Sequence, residues 1–194
     1  MLFGSREELV SYGQGIVRQD GDTVVVEDAT RARDAWIDRV VYNSALNPDA
    51  GIQDLCRWLI RSVGQELGIT LASIQDLYMA KGRGEYANVC VPAINIRGIT
   101  YDTSRAILRA MAALDVGPVL FEIARSEIVY THQRPAEYGA SVMAAAIKED
   151  YVGPLFLQGD HFQINAKKYA ADPDAEKAVV KDLIAEAIAA GFYN

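Results

Sequence analysis

Apolar positions in the first seventy residues recur mostly at helical spacing, whereas beyond residue 88 short continuous apolar runs alternate with helical stretches. The first part predicts a short helix over residues 5–14. A hairpin follows, with Ile16 to Arg18 and Thr23 to Glu27 flanking Gln19-Asp20-Gly21-Asp22, because Asp-Gly suits a tight turn between strands. Asp28 then caps one helix running to about Leu46, with Ala32, Ala35, Trp36 and Val40 on its apolar side. A second helix covers about Ile52 to Leu67; its stripe of Ile52, Leu55, Cys56, Leu59, Ile60 and Val63 keeps one face apolar, and Gly68 ends it. A third runs from about Leu71 to Lys81. Trp36, Trp58 and Tyr78 fall on these apolar faces and are expected to pack there.

The second part predicts strands at Asn88 to Ile96, Pro118 to Ala124 and Pro154 to Gly159, with helices at about Ser104 to Leu114 and Pro135 to Glu149 between them. Near-continuous apolar runs are the mark of strands buried on both faces, and the alternation argues for parallel strands joined by helical crossovers. This is α/β architecture, and the spacing suits a β/α barrel or a doubly wound sheet equally well. Asp172-Pro173-Asp174 starts a last helix, from about Ala175 to Ala190, and Phe192-Tyr193-Asn194 reads as the start of a fourth strand. A parallel sheet stopping there would leave an uncovered edge, so the sequence is expected to be a fragment of a longer polypeptide.

Composition narrows the class. The 194 residues carry 19 Lys and Arg against 26 Asp and Glu, a formal net charge of -7, which disfavours a sequence-independent grip on nucleic acid or anionic membrane. No apolar run approaches the roughly 18 residues of a membrane span, and Glu7 and Glu8 break any resemblance to a signal peptide, so a cytoplasmic protein is expected. Cys56 and Cys90 stand in apolar surroundings without CxxC spacing and are expected to be buried thiols.

The chemistry-bearing segment is Leu155-Phe156-Leu157-Gln158-Gly159-Asp160-His161, where an apolar strand runs into a carboxylate and an imidazole. In parallel α/β folds that edge forms the ligand site. Neighbours in an extended segment point to opposite sides, so one could hold a metal while the other transfers a proton. His132 and His161 are the only histidines, too few for the three protein ligands of a catalytic zinc site. No Gly-x-Ser-x-Gly elbow, Walker motif or dinucleotide glycine fingerprint follows any strand.

Taken in order, Val91-Pro92-Ala93-Ile94-Asn95, Val119-Leu120-Phe121-Glu122-Ile123-Ala124-Arg125-Ser126 and Gly153-Pro154-Leu155-Phe156-Leu157-Gln158-Gly159-Asp160-His161 resemble the first three strands of the class II, metal-dependent fructose-bisphosphate aldolase family. The resemblance covers roughly residues 72–194. It implies a partial (β/α)8 TIM barrel over residues 71–194, preceded by a mainly helical extension over residues 1–70. It further implies cleavage of a ketose 1,6-bisphosphate, with fructose 1,6-bisphosphate leading, to dihydroxyacetone phosphate and glyceraldehyde 3-phosphate. Zinc would be the cofactor, with His161 as one ligand and the remaining ligands beyond residue 194. Asp160 would be the catalytic acid/base. Asn95 would contact substrate, as would Ser126, for which Ala124 is the competing alignment. The full-length protein would be a homo-oligomer, a dimer, and the fragment alone inactive. Where typical members often carry a His two residues ahead of the Asp, this chain has Gln158. Gly159-Asp160-His161 with Glu122 is also similar to the accessory subunit of tagatose-bisphosphate aldolases, which implies a non-catalytic alternative.

Overall fold

The computed structural model describes residues 1–88 and 90–194. Ser5 caps the first helix, α1 (Arg6–Tyr12), by accepting from Glu8 N–H. Strands β1 (Val17–Asp20) and β2 (Thr23–Val26) form the antiparallel hairpin expected around Gly21, whose φ of 61° is the left-handed geometry such a turn needs. There follow α2 (Ala29–Arg31), α3 (Ile37–Leu46), α4 (Ala50–Glu66), β3 (Ile69–Leu71), α5 (Gln75–Gly82), β4 (Ala93–Asn95) and α6 (Thr100–Leu114). The chain continues with β5 (Leu120–Ala124), α7 (Arg125–Thr131), α8 (Pro135–Lys148), β6 (Gly153–Asp160), α9 (Ala166–Ala171) and α10 (Pro173–Ala189). The architecture is α/β, with a four-stranded sheet in the order β3-β6-β5-β4 in which β4, β5 and β6 run parallel. Among the described residues no helix is long and apolar enough to cross a membrane.

Two compact units divide the chain: Met1–Thr70 with Ile99–Val116 and Ala140–Leu155, and Leu71–Gly98 with Gly117–Gly139 and Phe156–Asn194. In the first, the apolar stripe of α4 is buried as the periodicity predicts, at Ile52, Cys56, Leu59, Ile60 and Val63. Trp36, Ile37 and Val40 are buried as well. The single helix expected from Asp28 to Leu46 is interrupted. Ala32–Trp36 winds as a π-helix with Asp34 at ψ -128°, and the Asp34 carbonyl accepts from Lys148 Nζ at 3.0 Å. Lys148 also pairs with Asp38 at 2.8 Å, while Tyr101 donates its hydroxyl to the same carboxylate at 2.6 Å. A lysine 114 residues away thus takes over a backbone acceptor, which no local pattern announces.

In the second unit the register places Ala93, Leu120 and Phe156 in one row and Asn95, Glu122 and Gln158 in the next, with Ala124 and Asp160 beyond. Side chains alternate between faces, so all of these share one face. Leu120 and Phe156 of its lower row pack with Ile74, Leu77 and Val91. Tyr138 in the first turn of α8 donates its hydroxyl to the Glu122 carbonyl at 2.8 Å, and its ring lies 5.7 Å from that of Phe192.

Several expectations are corrected. Leu71 belongs to β3 and the third helix begins only at Gln75, because the Ile74 N–H is taken by Asn194 Oδ1 at 2.6 Å. The strand expected from Asn88 is confined to Ala93–Asn95; Val89 lies outside the described residues, and Pro92 has no N–H to extend the ladder. Cys90 is exposed, unlike Cys56. Tyr78 is exposed as well. Residues 192–194 form no strand; Asn194 instead reaches β6 through one backbone bond, Gly159 N–H to its carbonyl at 3.1 Å. Helices α7 and α9 were not legible from periodicity, each being too short to show a repeat.

Candidate functional site

The upper rows of the shared sheet face collect polar side chains at the carboxyl ends of the parallel strands. Asn95 ends β4, Glu122 lies in β5, Gln158 and Asp160 close β6, and Glu127 reaches in from the first turn of α7. Asn95 Nδ2 donates to Asp160 Oδ2 and to Glu127 Oε2, each at 3.0 Å. Gln158 Nε2 donates to Glu122 Oε2 at 2.6 Å. Glu127 also accepts from the Ala124 N–H at 2.8 Å and from Arg97 Nε at 2.5 Å. These are the residues and contacts of one strand-end cluster, and Arg97 and Glu127 were absent from the sequence-based candidates. Glu127 carried one local signal, a carboxylate in the first turn of a helix, where such a group can take a free N–H.

Asp160 and His161 do not point apart. His161 has φ 46°, in the left-handed region, and its carbonyl accepts from Gln163 N–H at 2.7 Å, so β6 ends in a tight turn at this residue. The extended alternation fails there, and His161 Nδ1 comes to 2.6 Å from Asp160 Oδ1. Phe162 folds back over Gly159, where a Cβ would stand 2.9 Å from the ring. Any larger residue just before the Asp-His pair would have to displace that ring.

The charge states divide along this geometry. For Asp160, burial pushes the carboxyl up, but hydrogen bonds from Asn95 and His161 and the charges of His161 and Arg97 outweigh it, holding the group below the usual carboxylate range. Glu127 behaves likewise: burial raises it, and the Ala124 N–H, Arg97 and Asn95 together bring it lower than ordinary. Glu122, only 6% exposed, is pushed up, first by burial and then by the nearby Asp160 charge, against the opposing bond from Gln158. The cluster thus sets two carboxyls lowered from their ordinary values beside one that is raised.

Ser126 is exposed on α7 and lines a cavity of about 350 Å³ together with His161, Tyr130 and Lys168. Arg125 lines it too, its guanidinium held by Glu176 at 2.6 Å. So Asn95 meets Asp160, Asp160 meets His161, and His161 shares a cavity with Ser126. Ala124, the competing alignment for Ser126, is buried and offers the site only its N–H.

With Nδ1–H donated to Asp160, the imidazole presents Nε2, and its side chain is 70% exposed. A carboxylate holding the far nitrogen is the usual support of a metal-binding histidine. Among the described residues, however, no group of three His, Cys, Asp or Glu could hold a metal ion. The described residues therefore fit one zinc ligand and do not complete a catalytic site. Comparison with protein-family models, with curated proteins and with solved structures finds no match to this chain.

Proposed function

We propose that this chain is part of a metal-dependent aldolase of the class II fructose-bisphosphate type, with residues 71–194 forming the first βα units of a (β/α)8 barrel. The substrate is a ketose 1,6-bisphosphate, cleaved to dihydroxyacetone phosphate and glyceraldehyde 3-phosphate. The reading is carried by one observation: Asn95, Asp160 and His161, residues drawn from the ends of parallel strands, are joined by hydrogen bonds of 3.0 and 2.6 Å. A zinc ion, when bound, supplies the Lewis acidity that polarises the substrate ketone. It would use His161 Nε2, with further ligands from outside the described residues. Asp160 is the acid/base group: held as an anion, it is in the form that takes a proton from the substrate C4 hydroxyl in cleavage and returns it in the reverse condensation. Asn95 holds that carboxylate in place and contacts substrate, and Ser126 contacts it across the cavity. A cytoplasmic setting and a dimeric full-length form belong to the same reading.

A second reading, a non-catalytic partner subunit of the same superfamily, is favoured by the single imidazole ligand. The product of the complete reading frame separates the two. Specific zinc uptake and fructose 1,6-bisphosphate cleavage that a chelator abolishes and zinc restores are the results expected of the enzyme. A product of that frame with no specific zinc site and no cleavage would refute the catalytic reading.

A further inference from the structure

The amide of Asn95 is constrained on both sides of its nitrogen. An amide NH2 has two hydrogens, and here one goes to Glu127 Oε2 and the other to Asp160 Oδ2, each at 3.0 Å. The orientation is dictated chemically. Both neighbours are carboxylates that only accept, so the flipped amide would set its own oxygen against two others. Asn95 Oδ1 accepts no hydrogen bond from the described residues, so an acceptor is all that the side chain has left to offer a ligand.

Glu127 imposes this arrangement. It is 5% exposed, and its two oxygens take the Ala124 N–H, Arg97 Nε and Asn95 Nδ2 at 2.8, 2.5 and 3.0 Å. The Ala124 bond pins its carboxylate to the start of α7, and the Arg97 guanidinium, itself 64% exposed, closes the other side. Asp160 alone could not do the same. It holds one hydrogen of the amide and leaves the other free to turn towards a ligand.

We propose that Glu127 is a positioning residue that commits Asn95 to act as a hydrogen-bond acceptor, so that the site engages its ligand there through a hydroxyl hydrogen rather than through an anionic or carbonyl oxygen. A polyol carbon of the substrate, not a phosphate, lies against Asn95. This rests on the reading of Asn95 as a substrate contact and adds which atom makes the contact and what holds it.

The test uses the 15N-labelled chain and follows the Asn95 side-chain NH2 and the Arg97 Nε–H by NMR, with Asn95→Ser to assign the amide and circular dichroism melting to monitor folding. In the unsubstituted protein both amide hydrogens should exchange with water at least about tenfold more slowly than those of a solvent-exposed asparagine. Asn95 and Ala124 share Glu127 Oε2 while Arg97 has Oε1, so the one amide oxygen of Glu127→Gln can keep the first two and only the Arg97 signal should lose protection. Glu127→Leu removes both acceptors, and one Asn95 hydrogen should lose protection while Asp160 keeps the other. Arg97→Ala, a change at an exposed position, should leave the Asn95 signals protected. Fast exchange of both Asn95 hydrogens in the unsubstituted protein, or unchanged Asn95 protection in a folded Glu127→Leu protein, would overturn the proposal. So would an Asn95 amide that responds to inorganic phosphate as strongly as to fructose 1,6-bisphosphate. If neither compound binds the product of the complete reading frame, the aldolase reading fails, while the exchange measurement still decides the role of Glu127.

Discussion

Gly64 lies inside α4 and faces Met143 of α8, and the pair supports a prediction whose sign depends on packing. A Cβ built on Gly64 would stand 2.3 Å from Met143 Sδ and 2.9 Å from its Cγ. Ordinary contact distances are about 3.5–4.0 Å, so the sulfur must retreat by more than about an ångström. Met143 is only 1% exposed, and the residues following it, Ala144, Ala145 and Ala146, are buried, so the retreat has to be made within packed core. Overpacking of this kind costs about 1–3 kcal/mol, and a retreat of this size within packed core, eased by methionine's flexibility, belongs near the middle, at about 2 kcal/mol. Against it stands the gain of about 1 kcal/mol from replacing glycine by alanine within a helix. Gly64→Ala should therefore destabilise by about 1 kcal/mol. In a Met143→Ala background the obstruction is gone, and the same substitution should stabilise by about 1 kcal/mol, a coupling of about 2 kcal/mol between the sites. Met143→Ala alone should cost about 2–5 kcal/mol. Urea unfolding of the four proteins at a common m-value measures the cycle. Gly64→Ala stabilising the parent, or shifting both backgrounds equally to within about 0.5 kcal/mol, would refute the reasoning.

Three further outcomes follow from named contacts. Asn194 donates to the carbonyls of Ala72 and Leu157 and accepts from Ile74 N–H at 3.1, 3.0 and 2.6 Å; Asn194→Ala should cost roughly 2–4 kcal/mol, read as a fall in melting temperature of roughly 5–10 °C. Glu176 is held down to about 2, first by Arg125 and then by the Asn165 N–H, so the folded state binds fewer protons than the unfolded one. That contribution is present above the ordinary Glu value of 4.5 and disappears as pH falls towards 2, and Glu176→Gln should flatten the acid limb of a stability profile over this range. Because Asp160 holds His161 Nδ1, Asp160→Asn in the product of the complete reading frame should weaken zinc binding by about 10–100-fold as well as slow turnover, measured by competition with a chromogenic chelator. Unchanged metal affinity would show that the Asp-His contact does not support the ligand.

The strand-end location of Asp160 and His161 was legible because it needs only an apolar run and the residues that terminate it. Asn95 and Ser126 were named only through the resemblance of their segments to the aldolase family. What could not be read was the relation among them. The left-handed turn at His161 reverses the direction that strand alternation assigns to its imidazole, and a non-glycine residue carries no periodic signal for such a conformation. Glu127 resembled any carboxylate in a first helical turn until folding brought it to Asn95, 32 positions away.

The sequence by itself determined the alternation of helices and strands, the buried stripe of α4, the capping of helices by Ser5, Asp28 and Asp172, and the polar ends of the parallel strands. These follow from side-chain periodicity and short-range hydrogen bonding, which act within a few residues. Tertiary structure decided the π-helical interruption at Asp34, the capture of Ile74 by Asn194, the β3-β6-β5-β4 order and the commitment of Asn95 to its two carboxylates. Each of the contacts involved joins groups separated by 32 to 120 positions, and such groups meet only after burial of the apolar faces has brought their elements together.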